Sequence, residues 1–146
     1  MTLARCIREV MDHKSGILTQ EWAEPIATVL VPVRTVSEAN SHEHWRYRQK
    51  RAKDQHWHVR VALVAGNAPW NWDERRPFHI HLTRLATRKL DTDNLAGSLK
   101  HVRDAVAKFL GVDDGDEQKV TWSVGQEKAK GYSVRVEFYP RNSSKE

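Results

Sequence analysis

The sequence predicts an α+β domain, built on one mixed sheet of about five strands with two main helices. Three observations carry this. Short β-branched and aromatic runs alternate apolar and polar residues. One later segment repeats its apolar residues at helical spacing. The elements follow in the order strand, helix, two strands, helix, two strands, which suits helices covering a single sheet. The chain has 146 residues, 39% of them apolar. That length fits one domain with a modest core.

Residues 1–24 form an N-terminal extension. Leu3, Ile7, Val10 and Met11 share a turn-spaced face, which fits a short helix; a flexible arm fits the same residues equally. From Ile26 to Val33 β-branched residues dominate and read as a strand, with Pro32 marking its end or an edge position. Thr35-Val36-Ser37-Glu38 matches a capping box, so a helix is expected to start there and run to about Gln55. It carries Arg46, Arg48, Lys50, Arg51 and Lys53, with Trp45 and Ala52 facing inward. Trp57, Val59, Val61 and Leu63 alternate with His58, Arg60 and Ala62, the pattern of a half-buried strand. Gly66 to Pro77 is a loop holding Trp70 and Trp72, which are expected to pack over the core or a dimer partner. Phe78, Ile80 and Leu82 give a third strand, with His79, His81 and Thr83 outward in structural roles.

The clearest helix follows Asp93. Leu95, Leu99, Val102, Val106 and Phe109 recur at spacings of four, three, four and three, which makes one apolar face. Asp93 or Asn94 suits its start and Gly111 the left-handed residue past its end. Val120, Trp122 and Val124 alternate next, then Val134, Val136 and Phe138. Gly125 and Gly131 bound their connection, so these two strands are expected to form a hairpin. The folded domain is placed at 25–140, and 141–146 is expected to be a disordered tail.

Lys and Arg number 24 against 19 Asp and Glu, a formal charge of +5 and a pI near 9.5. Such a balance accommodates a nucleic-acid partner without establishing one. The single cysteine, Cys6, excludes an internal disulfide and fits a reducing, cytoplasmic setting. No apolar run is long enough to span a bilayer, so no membrane partner is expected. The start of the chain lacks the pattern of a signal peptide, and no such leader is expected.

Chemistry concentrates at the ends of the clear helix. Leu90-Asp91-Thr92-Asp93-Asn94-Leu95 precedes it, and Gly111-Val112-Asp113-Asp114-Gly115-Asp116 follows it. Crowded carboxylates repel unless something neutralises them, and hard divalent cations do so with oxygen ligands. Asp91 and Asp93, two apart on an extended approach, point the same way. Lys100 and Asp104 fall opposite the apolar stripe, and Lys100 leans towards the helix start where Asp93 lies. A strand beginning near Gln118 and pairing beside the strand that ends near Arg84 would fold the second group back towards the first. The plain alternative makes Asp91 and Asp93 helix caps and Asp113 to Asp116 a solvated turn.

These residues resemble a family signature. Asp91-Thr92-Asp93-Asn94-Leu95, then Lys100, then Asp104-Ala105, then Asp113-Asp114 is similar to the pattern of RusA-type Holliday junction resolvases: Asp-x-Asp-Asn-Leu, a lysine, an aspartate four residues on, and an Asp-Asp pair after the helix. The resemblance covers about residues 26–139 and is strongest over 88–122. It implies a homodimeric, Mg²⁺-dependent endonuclease that cuts four-way or otherwise branched DNA, encoded by a bacterium or a phage. It implies metal ligation by Asp91, Asp93 and one of Asp113 and Asp114, with Asp114 in that role, and an essential lysine at Lys100. Two departures stand out. Lys100 follows Asp93 by seven residues where the family has four, nearly one extra helical turn. Asp116 follows the Asp-Asp pair as a competing ligand.

An all-oxygen ligand set favours Mg²⁺ or Mn²⁺ over zinc. Phosphate contacts are expected from Arg46, Lys50, Arg51 and Lys53 on the first helix, from Arg88 and Lys89 before the acidic pair, and from Asn94. A two-fold dimer would supply two sites for paired nicks. The rival expectations are a less specific metal-dependent DNase, a non-catalytic DNA-binding protein and an interaction module with acidic turns. The last leaves the carboxylate crowding unexplained.

Overall fold

Alternation sets the inner face of the main sheet. Val29, Val31, Ile80, Leu82, Val120, Val134, Val136 and Phe138 are all buried and belong to one core with Val59, Leu63, Leu99, Val102 and Val106 from the helices. The computed structural model describes residues 7–11, 18–22, 24–37, 44–66, 68 and 77–141. Strands β1 (Ile7–Met11) and β2 (Leu18–Trp22) pair antiparallel as a sheet of their own. Then come β3 (Ala27–Val31), α1 (Trp45–Ala65), β4 (Phe78–Ala86), α2 (Thr92–Ser98), α3 (Lys100–Leu110), β5 (Val120–Lys128) and β6 (Ser133–Pro140). The second sheet has four strands in the order β3-β6-β4-β5. Only β4 and β5 run parallel; β6 is antiparallel to β3 and β4. This is the expected α+β class, with four strands rather than five in the main sheet and three helices rather than two among the described residues.

Four local expectations change. Residues 7–11 are a strand, not a turn of helix. The expected helix from Thr35 and the expected strand at 57–63 are replaced by α1, which starts ten residues later and runs through both. Among Trp57, Val59, Val61 and Leu63, the second and fourth are buried, while Trp57 is 62% and Val61 46% exposed. The period-2 pattern is thus two i,i+4 pairs on two faces of a helix. No Gly or Pro interrupts residues 33–65, so the helix runs on until Gly66. A Cβ at Gly66 would meet Val29 Cγ2 at 2.8 Å, so only glycine lets the helix end this close to β3. The helix expected after Asp93 is two, hitched at Leu99 (φ −95°, ψ 0°). Gly111 sits past its end at φ 73°, as expected.

The fourth change is topological. β5 and β6 do not form a hairpin, because β4 lies between them. Residues 129–132 cross the end of β4, where Ala129 N–H donates to Ala86 O at 2.9 Å. The strand from Gln118 does pair with β4, but in parallel: Phe78 lies beside Val120 and Ala86 beside Lys128. Helices α2 and α3 are therefore the crossover of a β-α-β unit. Its nine-residue strands span about 30 Å at about 3.3 Å per residue. Leu90 is held at Gln126 and Asp114 at Trp122, four residues apart along β5, so the two acidic groups lie at different levels of that strand. The expected pairing of this strand beside β4 thus occurs, with β5 entering from the end opposite Arg84. Cys6, Glu38, Trp70, Trp72 and the tail at 142–146 lie outside the described residues.

Candidate metal and nucleic-acid site

Asp91 occupies the N-cap position of α2 in extended conformation (φ −62°, ψ 155°), yet its side chain makes no capping hydrogen bond. Its carbonyl accepts from Leu95 N–H at 2.8 Å. Asp93 sits in the first turn, where the helix dipole favours an anion. Both side chains are exposed. The backbone beneath them is held instead. Gln126, near the end of β5, clamps Leu90 from both sides: its Oε1 accepts from Leu90 N–H at 2.8 Å and its Nε2 donates to Leu90 O at 2.7 Å. Ser37 Oγ donates to Asn94 Oδ1 at 3.0 Å. Fixed backbone beneath unspent carboxylates suits a cation site.

Cations gather beside this pair. Arg84 points inward from β4 and is 7% exposed. Its Nε donates to Thr35 Oγ1 at 3.2 Å and its Nη1 to Arg88 O at 2.8 Å. Burial lowers its pKa, Tyr132 opposes that, and Arg34 adds to it. The Arg34 guanidinium stacks over the Tyr132 ring, 4.3 Å from its centre. Tyr132 Oη shares a 3.1 Å hydrogen bond with Thr87 Oγ1. That bond, then Arg34, lowers the phenol's pKa, with smaller contributions from Arg84 and Arg88. Arg34, Arg84 and Arg88 thus converge on the segment that leads to Asp91. Arg88 and Lys89 are exposed there, as a phosphate contact requires.

The second acidic group is fastened through its side chains. Asp113 Oδ1 accepts from Gly115 N–H at 3.0 Å, and Asp116 Oδ1 from Gln118 N–H at 3.2 Å, both local turns. Asp116 Oδ2 lies 3.9 Å from Lys119 Nζ. Asp114 Oδ2 pairs with Arg103 Nε at 3.2 Å, an ion pair without hydrogen-bond alignment. Its carbonyl accepts from Trp122 Nε1 at 2.9 Å and Arg103 Nη2 at 3.2 Å, and Arg103 lies over the Trp122 ring. Asp104 belongs to this end, not to the side of Asp93. With His56, Lys108, Asp113 and Asp114 it lines a cleft of about 270 Å³. Burial and Lys108 lower the His56 pKa, Asp104 opposes them, and His101 adds to the lowering.

Among the described residues, no three His, Cys, Asp or Glu side chains come together as a metal-holding group. Lys100 is exposed at the first residue of α3, beyond the hitch at Leu99. Arg46, Lys50 and Lys53 are exposed on α1, and the Arg46 guanidinium lies 5.6 Å from the Trp45 ring centre. The face expected to hold His79 and His81 outward is not open, since His81 is 1% exposed. His79 bonds Thr121 Oγ1 and Ser123 Oγ, and His81 Nδ1 also meets Ser123 Oγ, each at 2.7 Å. These contacts suit the structural role expected of them.

Gln126 and Arg84 are functional positions that motif spacing misses, although the sequence carries a signal for them. Each sits at an inward position at the end of an alternating run: Phe78-Ile80-Leu82-Arg84 and Val120-Trp122-Val124-Gln126. A polar residue on the core side of a strand needs an internal partner, and both partners lie on the approach to Asp91. Among the described residues, no helix is long and apolar enough to cross a membrane. No family model matches the chain, and no curated protein matches it.

Proposed function

We propose that the protein is a Mg²⁺- or Mn²⁺-dependent endodeoxyribonuclease that cuts branched DNA, with four-way junctions as its preferred substrate. One observation carries the proposal: two exposed aspartates whose carboxylates are not spent on capping stand on a clamped backbone beside three converging arginines. The signature shared with RusA-type resolvases supports the same chemistry. Asp91 and Asp93 would hold the ion, since their oxygens fit a hard divalent cation. Such an ion supplies Lewis acidity and a water of lowered pKa at the scissile phosphate. Arg88 and Lys89 bind the phosphates flanking the cut, and Lys100 offsets charge on the phosphate oxygens. Gln126 keeps Leu90, and with it Asp91, in place.

The placement of the second acidic group bears on assembly. Among the described residues, Asp113 and Asp114 join no three-ligand group with Asp91 and Asp93 within the chain, and a second copy would bring them to an ion held there. A two-fold homodimer satisfies this twice and gives two sites for paired nicks. Arg103 and the Asp113 turn orient these carboxylates as the outer contacts of metal ligands do.

The test is cleavage of a synthetic four-way junction, a flap and a linear duplex, each with Mg²⁺ or with EDTA. Paired nicks confined to the junction are expected, and only with Mg²⁺. Equal cutting of all three would establish a general DNase. Binding without cutting would leave a DNA-binding protein and refute the catalytic proposal. Junction affinity should fall steeply with salt, because phosphate contacts release counterions.

A further inference from the structure

A second polar feature lies on α1, away from the aspartates. Tyr47, Lys50, Arg51, Asp54, Gln55 and His58 recur at spacings of three, one, three, one and three, so they share one helix face. That face and the segment Pro32 to Arg34 enclose an open cleft of about 620 Å³. Its walls differ in kind. Arg34, Lys50 and Arg51 are cationic, with Asp54 alone opposing them. Tyr47 is 65% exposed, an aromatic ring presented to solvent. Gln55 is 4% exposed, and neither Oε1 nor Nε2 finds a hydrogen-bond partner. A buried carboxamide with both ends unsatisfied is costly in a folded protein. It sits one turn before the buried Val59, on a stripe where an apolar residue would pack at no such cost.

We propose that this cleft binds one unpaired nucleotide of the DNA strand, its base against Tyr47 with its edge on the Gln55 amide, and its phosphates on Arg34, Lys50 and Arg51. A carboxamide offers a donor and an acceptor side by side, the complement of a base edge. An exposed tyrosine offers a stacking surface that accepts any base. The cations supply the charge a phosphodiester needs. Arg34 joins this cleft to the candidate cutting site, because the same guanidinium packs on Tyr132 within the arginine group beside Arg88. The inference rests on the DNA reading above and adds to it. It explains a preference for branched DNA, where unpaired nucleotides cost little to expose.

The experiment measures binding in EDTA, so that no cleavage enters. The probes are two duplexes with a single-nucleotide bulge, one carrying adenine and the other an abasic residue at the bulge. The wild-type protein should bind the adenine bulge roughly tenfold more tightly. Tyr47→Ala and Gln55→Met should abolish that preference while leaving affinity for the abasic duplex unchanged. Gln55→Met keeps the side-chain volume, and a melting curve on each variant checks the fold. Equal wild-type affinity for both probes overturns the inference while leaving the nuclease proposal standing. So does a preference that survives both substitutions. Failure of the wild-type protein to bind either duplex overturns the DNA reading itself.

Discussion

The two ends of the β-α-β unit hold the same residue type under opposite constraints. At the Asp91 end, the main chain is fixed and the carboxylates are left over. Gln126 clamps Leu90 through two bonds, and Asp91 occupies an N-cap position without using its side chain. At the Asp113 end, the carboxylates themselves build the structure. Asp113 and Asp116 close turns, and Asp114 pairs with Arg103. A carboxylate spent on a turn keeps one oxygen for other use, already oriented; an unspent one keeps two. The difference separates carboxylates left open from carboxylates that already serve the fold.

The largest effect expected from this contrast is at Asp93. Asp93→Asn should lower Mg²⁺-dependent junction cleavage by about a hundredfold or more, since a bound metal contributes several kcal/mol to such reactions. Junction binding in EDTA should persist. A cleavage rate near wild type would remove the first pair from the site. The two-copy arrangement has a sharper test. Asp93→Asn and Asp114→Asn should each be inactive alone. Mixed and allowed to exchange subunits, they should regain nicking, because one of the two sites in a mixed dimer keeps both wild-type groups. No recovery on mixing would return the whole site to a single chain or discard the second group.

Much of this contrast was legible in the sequence, and the failures have physical causes. The aspartates, the helix between them and the strands around Ile80 and Val136 follow from spacing alone. The sense of pairing does not. Strand β5 reads identically whether it runs parallel or antiparallel to β4, yet direction decides whether it enters the sheet at the end of β4 that leads to Asp91 or at the opposite end. The supposed hairpin fails for a similar reason, since residues 129–132 can turn back or cross β4 with the same glycine beside them. On α1, alternation places Trp57 and Val61 on one face with Val59 and Leu63. A helix that leaves Trp45, Tyr47, Trp57, Val61 and Val64 exposed defeats a rule that assumes apolar means inward.

Intermediate effects come from the residues that impose each constraint. Gln126→Ala removes two hydrogen bonds to Leu90 and should cost about 1–3 kcal/mol of stability. It should also slow cleavage roughly ten- to a hundredfold through displacement of Asp91, with junction affinity little changed. A stability loss without a rate loss would show that the clamp serves the fold alone. Arg103→Ala releases Asp114 from an ion pair whose partners are both more than a third exposed. The melting temperature should fall by no more than about 4 °C, as solvent-screened pairs contribute little. Cleavage should fall less than in Asp114→Asn, because the ligand survives and only its orientation is lost.

The smallest expected effect lies in the cleft at the second end. His56 faces Lys108, His101, Asp104, Asp113 and Asp114 there, and burial with Lys108 holds its pKa below the ordinary 6.5. The folded protein therefore binds this proton less readily than the unfolded chain does. Stability rises with pH wherever the unfolded state carries more protons. The contribution of His56 is thus fully present above pH 6.5 and is lost as the pH falls below it. Melting temperatures of wild type and His56→Gln at pH 7.5 and 5.5 check this. The variant should lose less on acidification, and Lys108→Met should also reduce the wild-type loss by removing the neighbouring charge. An unchanged loss in both variants would remove His56 from the acid response.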